Sequence, residues 1–283
     1  MITIADSDAF KDSGRVLPQH QAAITLLQGF VSAPNVRRIR WLDLACGQGQ
    51  IIASLDIHLS EDARRKVEYW AYDASLRFAR ETTRSAERMG FGAVKTRVGD
   101  LSDFHRVLPS PLRFDYVTLT SVIHELEPAR LPDLFMNCIE RLNPTATLFI
   151  YDVETVDPPE LGALPWGCND IRRVVHRMLD ALGTSTYRPE VGRWAHKSCY
   201  GWSVQIQRSH IGLSDSAICA NRDAAVAAGG NEIRRILSKR LSECECSLET
   251  LTRYGAETRE EESATTRLLY EFWALHRARR DPA

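Results

Sequence analysis

The sequence predicts an α/β fold: a doubly wound sheet with helices on both faces, a helical segment before it and a helical extension after it. Three observations predict this. Five runs rich in β-branched and aromatic residues, RIRWLDLA (38–45), VEYWAYD (67–73), AVKTRVGD (93–100), FDYVTLTSVI (114–123) and TATLFIYDVE (145–154), alternate with helical patterns. Each connection is long enough to carry a helix between two parallel strands. The chain has 283 residues, 44% of them hydrophobic and 26% charged, which is ample to build one large core with an appendage.

In chain order, residues 1–36 form an N-terminal helical segment with a helix from about Gln19 to Val31. Helical periodicity follows over Gln50 to about Leu59, Ser75 to Met89, and 129–142. In NDIRRVVHRMLDALG (169–183), Ile171, Val174, Val175, Met178, Leu179 and Leu182 fall on one face, with Asn169 or Asp170 as N-cap and Gly183 just past the end. RWAHKSCYGWSVQIQRSHI (193–211) reads as two strands turning at Tyr200-Gly201 and closing one edge of the sheet, which ends a core of residues 37–211. Residues 212–283 are helical. Asn231 is the expected N-cap of NEIRRILSKRL, and Leu268, Leu269, Phe272, Trp273 and His276 are expected along one face. This extension is either a cap over the core or a partner-binding surface.

With 36 basic against 37 acidic residues, nothing in the overall charge calls for nucleic acid or a membrane surface. The start, MITIADSDAFKDSGRVLP, lacks the basic and apolar regions of a secretion signal, and no window reaches a membrane span of about 18 apolar residues, so a cytoplasmic location is expected. Seven scattered cysteines fit reduced thiols. Only Cys244 and Cys246 are closely spaced, and a lone C-x-C with no second ligand pair leads us to expect no metal.

The chemistry starts at WLDLACGQGQ (41–50), a strand breaking into a glycine loop. Gly47-Gln48-Gly49 lacks both the lysine of a P-loop and the third glycine of a dinucleotide fingerprint, so a diphosphate ligand is disfavoured. Asp43 is positioned to meet a positive or hydrogen-bond-donating group. The second strand ends on Asp73, about 24 residues past Gly49, where a nucleoside site needs an acid to accept two ribose hydroxyls. The third ends in Gly99-Asp100-Leu101, an acid and an apolar residue suited to an adenine edge.

LDLACGQGQ, YWAYDAS, VGDLSDF, FDYVTLTSVIHEL and RLNPTATLFIYDVE resemble, in order and spacing, successive motifs of the class I S-adenosylmethionine-dependent methyltransferases. The resemblance covers roughly residues 38–154. It implies a Rossmann-like seven-stranded sheet in the order 3-2-1-4-5-7-6 with strand seven antiparallel, and it makes 193–211 strands six and seven. It implies S-adenosylmethionine as cofactor, with Gly47 and Gly49 against its methionine and ribose part, Asp43 beneath the methionine, Asp73 on the ribose, and Asp100 with Leu101 at adenine. Ala45, Ala74 and Thr120 complete the cofactor-binding set. The K-P-G-G that usually precedes strand five in the family is here NPTAT.

His124 and Glu125 follow strand four, where either can take a proton from an acceptor hydroxyl or amine. The family also methylates by proximity and alignment alone. Asp152, Glu154 and Trp166 are candidates for lining the substrate pocket, or else surface acids and a core aromatic. Asp115 reads as structural. Arg172, Arg173, His176 and Arg177 read as a solvated helix face, with an acidic substrate or RNA backbone as the alternative. Neither an N-P-P-[YFW] tetrad after strand four nor a Pro-Cys pair occurs, which argues against DNA base methylation.

The expected function is therefore methyl transfer to an O or N nucleophile, with a small molecule as acceptor. The alternatives are RNA or protein methylation, or a non-catalytic cofactor-binding subunit that docks through Leu268 to His276. A nicotinamide-dependent oxidoreductase would need the absent third glycine.

Overall fold

The computed structural model describes residues 18–55, 58–156, 159–184, 186–196, 199–254 and 258–280. Its strands are β1 (Ile39–Leu44), β2 (Val67–Asp73), β3 (Ala93–Val98), β4 (Phe114–Thr120), β5 (Leu142–Val153), β6 (Glu190–His196) and β7 (Cys199–Gln207). They form one sheet in the order β3-β2-β1-β4-β5-β7-β6, with β7 antiparallel. The helices are α1 (Pro18–Ser32), α2 (Gln50–Leu55), α3 (Glu61–Arg65), α4 (Leu76–Arg88), α5 (Phe104–Val107), α6 (Leu131–Glu140), α7 (Cys168–Leu182), α8 (Arg208–Ile211), α9 (Asp215–Tyr254) and α10 (Arg259–Arg280). No described helix is long and apolar enough to cross a membrane.

The chain divides into two compact units. The first holds Met1–Thr120, Asn137–Tyr151 and Ser203–Gly212. Its central strands are covered on both faces, so they read as nearly continuous apolar runs. Every residue of β2 is buried, including Glu68, whose charge is met by Arg40 Nε at 3.1 Å and whose second oxygen accepts Trp70 Nε1 at 2.9 Å. Trp41 centres the core, with its ring 4.8 Å from Tyr69 and 5.9 Å from Tyr116. α1 buries Ala23, Ile24, Leu27 and Val31, and Tyr116 Oη donates to Ala23 O at 3.0 Å. Parallel register sets Leu44 beside Tyr72 and Leu119, so β1, β2 and β4 all send their following loops from the same end.

One side chain organises the connection before β4. The Arg141 guanidinium donates to the carbonyls of His105, Leu108, Pro109 and Leu112, which no ladder satisfies. Asp115 is structural: it accepts Arg40 N at 2.8 Å and Asn143 Nδ2 at 2.6 Å.

The second unit holds Ser121–Met136, Asp152–Trp202 and Leu213–Ala283. α7 buries the six apolar residues that its periodicity marks, and Gly183 closes it at φ +97°. α9 runs 40 residues without a break. It passes through Gly229, where an added Cβ would come within 2.8 Å of Met178 Cγ and 3.0 Å of Pro132 Cβ, so a glycine is what lets α9 lie this close. Trp202 Nε1 donates to Trp166 O at 2.7 Å, and both rings are fully buried.

Several boundaries differ from the sequence reading. β3 stops at Val98 because Asp100 caps a 3₁₀ turn (Leu101–Asp103) by accepting Ser102 N at 2.8 Å. β4 stops at Thr120, where Ser121 takes φ +53° and leads into a 3₁₀ turn over Ile123–Glu125. α2 ends at Leu55, and Ser60 caps a separate helix, α3. α6 starts at Leu131, after a 3₁₀ turn at Pro128–Arg130.

β5 begins at Leu142, and its pairing with β4 jumps from Phe114↔Leu142 to Tyr116↔Thr147. That irregularity takes in Pro144, which has no N–H to give a ladder. α7 is capped by Gly167 without a side-chain bond, while Asn169 and Asp170 lie in its first turn. Tyr200-Gly201 lies inside β7, because Tyr200 O accepts Glu154 N at 2.9 Å; the link from β6 falls at 197–198, outside the described residues.

Asn231 is interior to α9 and caps nothing. In α10 the buried residues are Ala274 and Leu275, while Leu269 and Trp273 are exposed. Two bonds set that rotation: Glu271 accepts Arg240 Nη2 at 2.6 Å, and Leu268 O accepts Cys244 Sγ at 3.4 Å. Cys46, Cys138, Cys168, Cys219, Cys244 and Cys246 are free thiols.

Candidate functional site

The loop after β1 is built from three residues in the left-handed region: Ala45 (φ +55°), Gly47 (φ +51°) and Gly49 (φ +78°). Such a run exposes backbone rather than side chain. A Cβ on Gly49 would approach Thr82 Oγ1 to 2.9 Å, and Thr82 in turn donates to Gly47 O at 2.8 Å. α4 thus clamps the loop at two points.

Asp73, 8% exposed at the end of β2, holds the loop from the other side. Its Oδ2 accepts Gly47 N at 2.9 Å and its Oδ1 accepts Ser75 N at 2.8 Å. A carboxylate has about four acceptor sites, so each oxygen keeps capacity for a further donor, which is what a pair of vicinal hydroxyls requires. Gly99 N donates to Asp73 O at 3.2 Å and Tyr72 Oη to Asp100 O at 2.8 Å. These bonds bring the end of β3 alongside. Asp100 and Ala74 are exposed, Leu101 is buried and Thr120 is half-buried at the end of β4.

Asp43 faces inward. It is 2% exposed, and its oxygens accept Thr118 Oγ1 and Tyr69 Oη, each at 2.7 Å. Burial raises its pKa to about 6, against the lowering effect of those two hydroxyls and with a further push from the Asp73 charge. Both of its oxygens are thus engaged by hydroxyls within the core. Cys46, in the same loop, is held as a neutral thiol by burial and by the charges of Asp43 and Asp73.

The second unit places His124 and Asp152 together. His124 Nδ1 lies 2.7 Å from Asp152 Oδ1, and the His124 backbone N donates to Asp152 Oδ2 at 3.1 Å. Asp152 has no exposure. With Nδ1–H given to a carboxylate, Nε2 carries the imidazole lone pair. Burial lowers the His124 pKa, but the Asp152 bond and charge, with the charges of Glu125 and Glu160, outweigh it and leave the pKa above the ordinary value. Glu125, exposed, puts Oε1 3.8 Å from Nε2.

Asp152 was legible only as a strand-end acid. Its partnership with His124 follows from the Thr120↔Tyr151 pairing, which sets the ends of β4 and β5 side by side. Glu154 is engaged by Arg193, at 2.7 and 3.0 Å, and Trp166 is core.

A family model described as a methyltransferase domain matches residues 42–148, the span that carries the glycine loop, Asp73 and Asp100. Those residues form a methyltransferase domain.

The magnesium protoporphyrin IX methyltransferase of Synechocystis PCC 6803, solved with bound SAH, superposes on this chain with a TM-score of 0.50 at 14% identity, covering 72% of this chain and 94% of that one. The carbon methyltransferase CurJ gives a TM-score of 0.49 at 14% identity, covering 66% of this chain and 53% of that one. An rRNA methylase from Streptococcus thermophilus gives 0.43 at 10% identity, covering 68% and 98%. At such identities the likeness is one of fold. No curated protein sequence matches. The remaining acceptor capacity of Asp73 beside a glycine-walled loop fits the nucleoside part of S-adenosylmethionine.

Proposed function

We propose that this methyltransferase acts on an oxygen or nitrogen nucleophile of a small molecule, with His124 serving the acceptor. The observation that carries this reading is the His124–Asp152 pair: a buried imidazole whose tautomer and direction are set by a fully buried carboxylate. His124 follows β4 by four residues and Asp152 belongs to β5, and ligands of open α/β sheets gather at the carboxyl ends of such strands.

When bound, S-adenosylmethionine supplies a methyl group on a positively charged sulfur. Toward it, Asp73 accepts the ribose hydroxyls, the backbone of Ala45, Gly47 and Gly49 admits the methionine end, and Asp100 with Leu101 takes adenine. Ala74 and Thr120 flank these groups. Asp43 and Asp73 add negative charge suited to a sulfonium.

An O–H or N–H nucleophile loses its proton as the new bond forms, and His124 with Glu125 supplies the basic groups for that loss. A small acceptor is favoured because four arginines of the second unit are engaged by acids: Arg173 and Arg235 by Glu232, Arg222 by Asp133 and Arg240 by Glu271. A phosphate backbone needs such charges unpaired.

The test incubates cell extracts with the protein and methyl-labelled S-adenosylmethionine and follows the label by mass spectrometry. A labelled small molecule is expected. Label in RNA or protein overturns the acceptor class, and tight cofactor binding with no label anywhere points to a non-catalytic subunit. His124→Ala and Asp152→Asn are expected to lower turnover about 100-fold or more while calorimetric cofactor affinity stays put. Unchanged turnover would remove His124 from the reaction.

A further inference from the structure

The lone pair on His124 Nε2 has company. His124, Glu125 and Glu160 each offer one ligand atom, and the three atoms lie within 4.8 Å of one another. Among the described residues Nε2 makes no hydrogen bond, although the His124 side chain is only 9% exposed. The loop carrying Glu160 is pinned to the same place, since Leu164 N donates to His124 O at 2.7 Å and Ala163 N to Glu160 O at 3.2 Å.

We propose that His124 Nε2, Glu125 and Glu160 form a binding site for a divalent first-row cation, with Asp152 as the positioning residue behind the histidine.

Three features carry this. A ligating imidazole almost always gives its other N–H to a carboxylate or carbonyl, and Asp152 takes that part at 2.7 Å with no exposure of its own. Donors around a cation bonded at about 2.0–2.2 Å stand roughly 3–3.5 Å apart, so the three atoms need to contract by about 1 Å. Glu125, exposed, makes that movement at low cost. One nitrogen and two carboxylate oxygens also suit manganese, iron or zinc better than magnesium, which prefers oxygen alone.

The site deepens the proposed function and rests on its assignment of His124 to the acceptor. With the cation bound, the Nε2 lone pair is engaged and His124 acts as a ligand in place of a base: an acceptor oxygen that binds the cation gives its proton to solvent at lower pH, and the methyl then passes to that oxygen as the carbon–sulfur bond breaks.

The test uses the full chain after chelator treatment, titrated with Mn²⁺ by calorimetry and by electron paramagnetic resonance, and with Zn²⁺ by calorimetry. One equivalent of saturable binding is expected, weakened at least tenfold in Glu160→Gln and in Glu125→Gln, and 10- to 100-fold in Asp152→Asn. Cofactor affinity of Glu160→Gln stays at the wild-type value, which controls for folding. No saturable binding of either ion, or a Glu160→Gln chain that binds like wild type, overturns the proposal. Cation binding is read without any acceptor, so a failure here is distinct from a failure of the methyl-transfer reading.

Discussion

Asp73 Oδ2 accepts the backbone N–H of Gly47 at 2.9 Å, so the acid assigned to the ribose also fastens the loop assigned to the methionine end. The two halves of the nucleoside site are one hydrogen-bonded piece. An amide at position 73 would set its NH₂ against either Gly47 N or Ser75 N. Asp73→Asn is therefore expected to lower stability by about 1.5–3 kcal/mol and to weaken S-adenosylmethionine roughly tenfold to a hundredfold. Chemical denaturation and calorimetry read the two effects, and unaltered affinity would separate the acid from the cofactor.

Gly49→Ala should destabilise by at least 1–2 kcal/mol, about the cost of a left-handed backbone for an L residue, with the clash against Thr82 added. In Gly49→Ala/Thr82→Ala the contacts with Oγ1 and Cγ2 are gone, a tight contact with the Cβ of residue 82 at 3.3 Å stays, and the backbone cost remains. The double variant should therefore lose less than the two single variants summed, a coupling that a double-mutant cycle measures.

Asp43 makes a pH signature. Its folded pKa, about 6, lies above the ordinary carboxylate value of 3.8, so the fold binds this proton more tightly than the unfolded chain does. The resulting stability is fully present below about pH 3.8 and is lost as pH rises through 6; by neutral pH the loss is on the order of 3 kcal/mol. Asp43→Asn should flatten that part of the curve of unfolding free energy between pH 4 and 7. An unchanged slope would assign the titration to other groups.

Neighbouring glycines in α9 should respond with opposite sign. A Cβ at Gly230 meets only Arg234 Nη1, at 3.7 Å, so Gly230→Ala should stabilise by about 0.5–1 kcal/mol through helix propensity. At Gly229 the same change drives a methyl into Met178 and Pro132. Overpacking of about 1–3 kcal/mol should outweigh the propensity gain. Thermal unfolding of the two variants side by side checks the contrast.

The centre of the parallel sheet was readable because β1, β2 and β4 are largely buried and leave long apolar runs, with Asp73 where one of them stops; the half-buried β3 before Asp100 was readable from its β-branched residues. What escaped reading depended on tertiary partners. Asp43 lies on a strand that faces hydroxyls from both neighbours, Thr118 and Tyr69, so an acid that looked outward-facing is a core residue. Asn231 read as the N-cap of a new helix, yet α9 runs straight through it, and Gly229 lets that helix lie against Met178 and Pro132. Tyr200-Gly201 had the composition of a turn, but Glu154 claims the Tyr200 carbonyl and holds it within a strand. Glu160 carried no local signal, because its meaning comes from a loop pinned to His124.

The Arg141 guanidinium binds four carbonyls between His105 and Leu112, and that connection lends it only backbone atoms. The backbone of residues 105–112 is thus held by a single side chain about thirty positions further on, while from within the segment Leu108 anchors it by its own burial. A change at Arg141 frees four carbonyls at once.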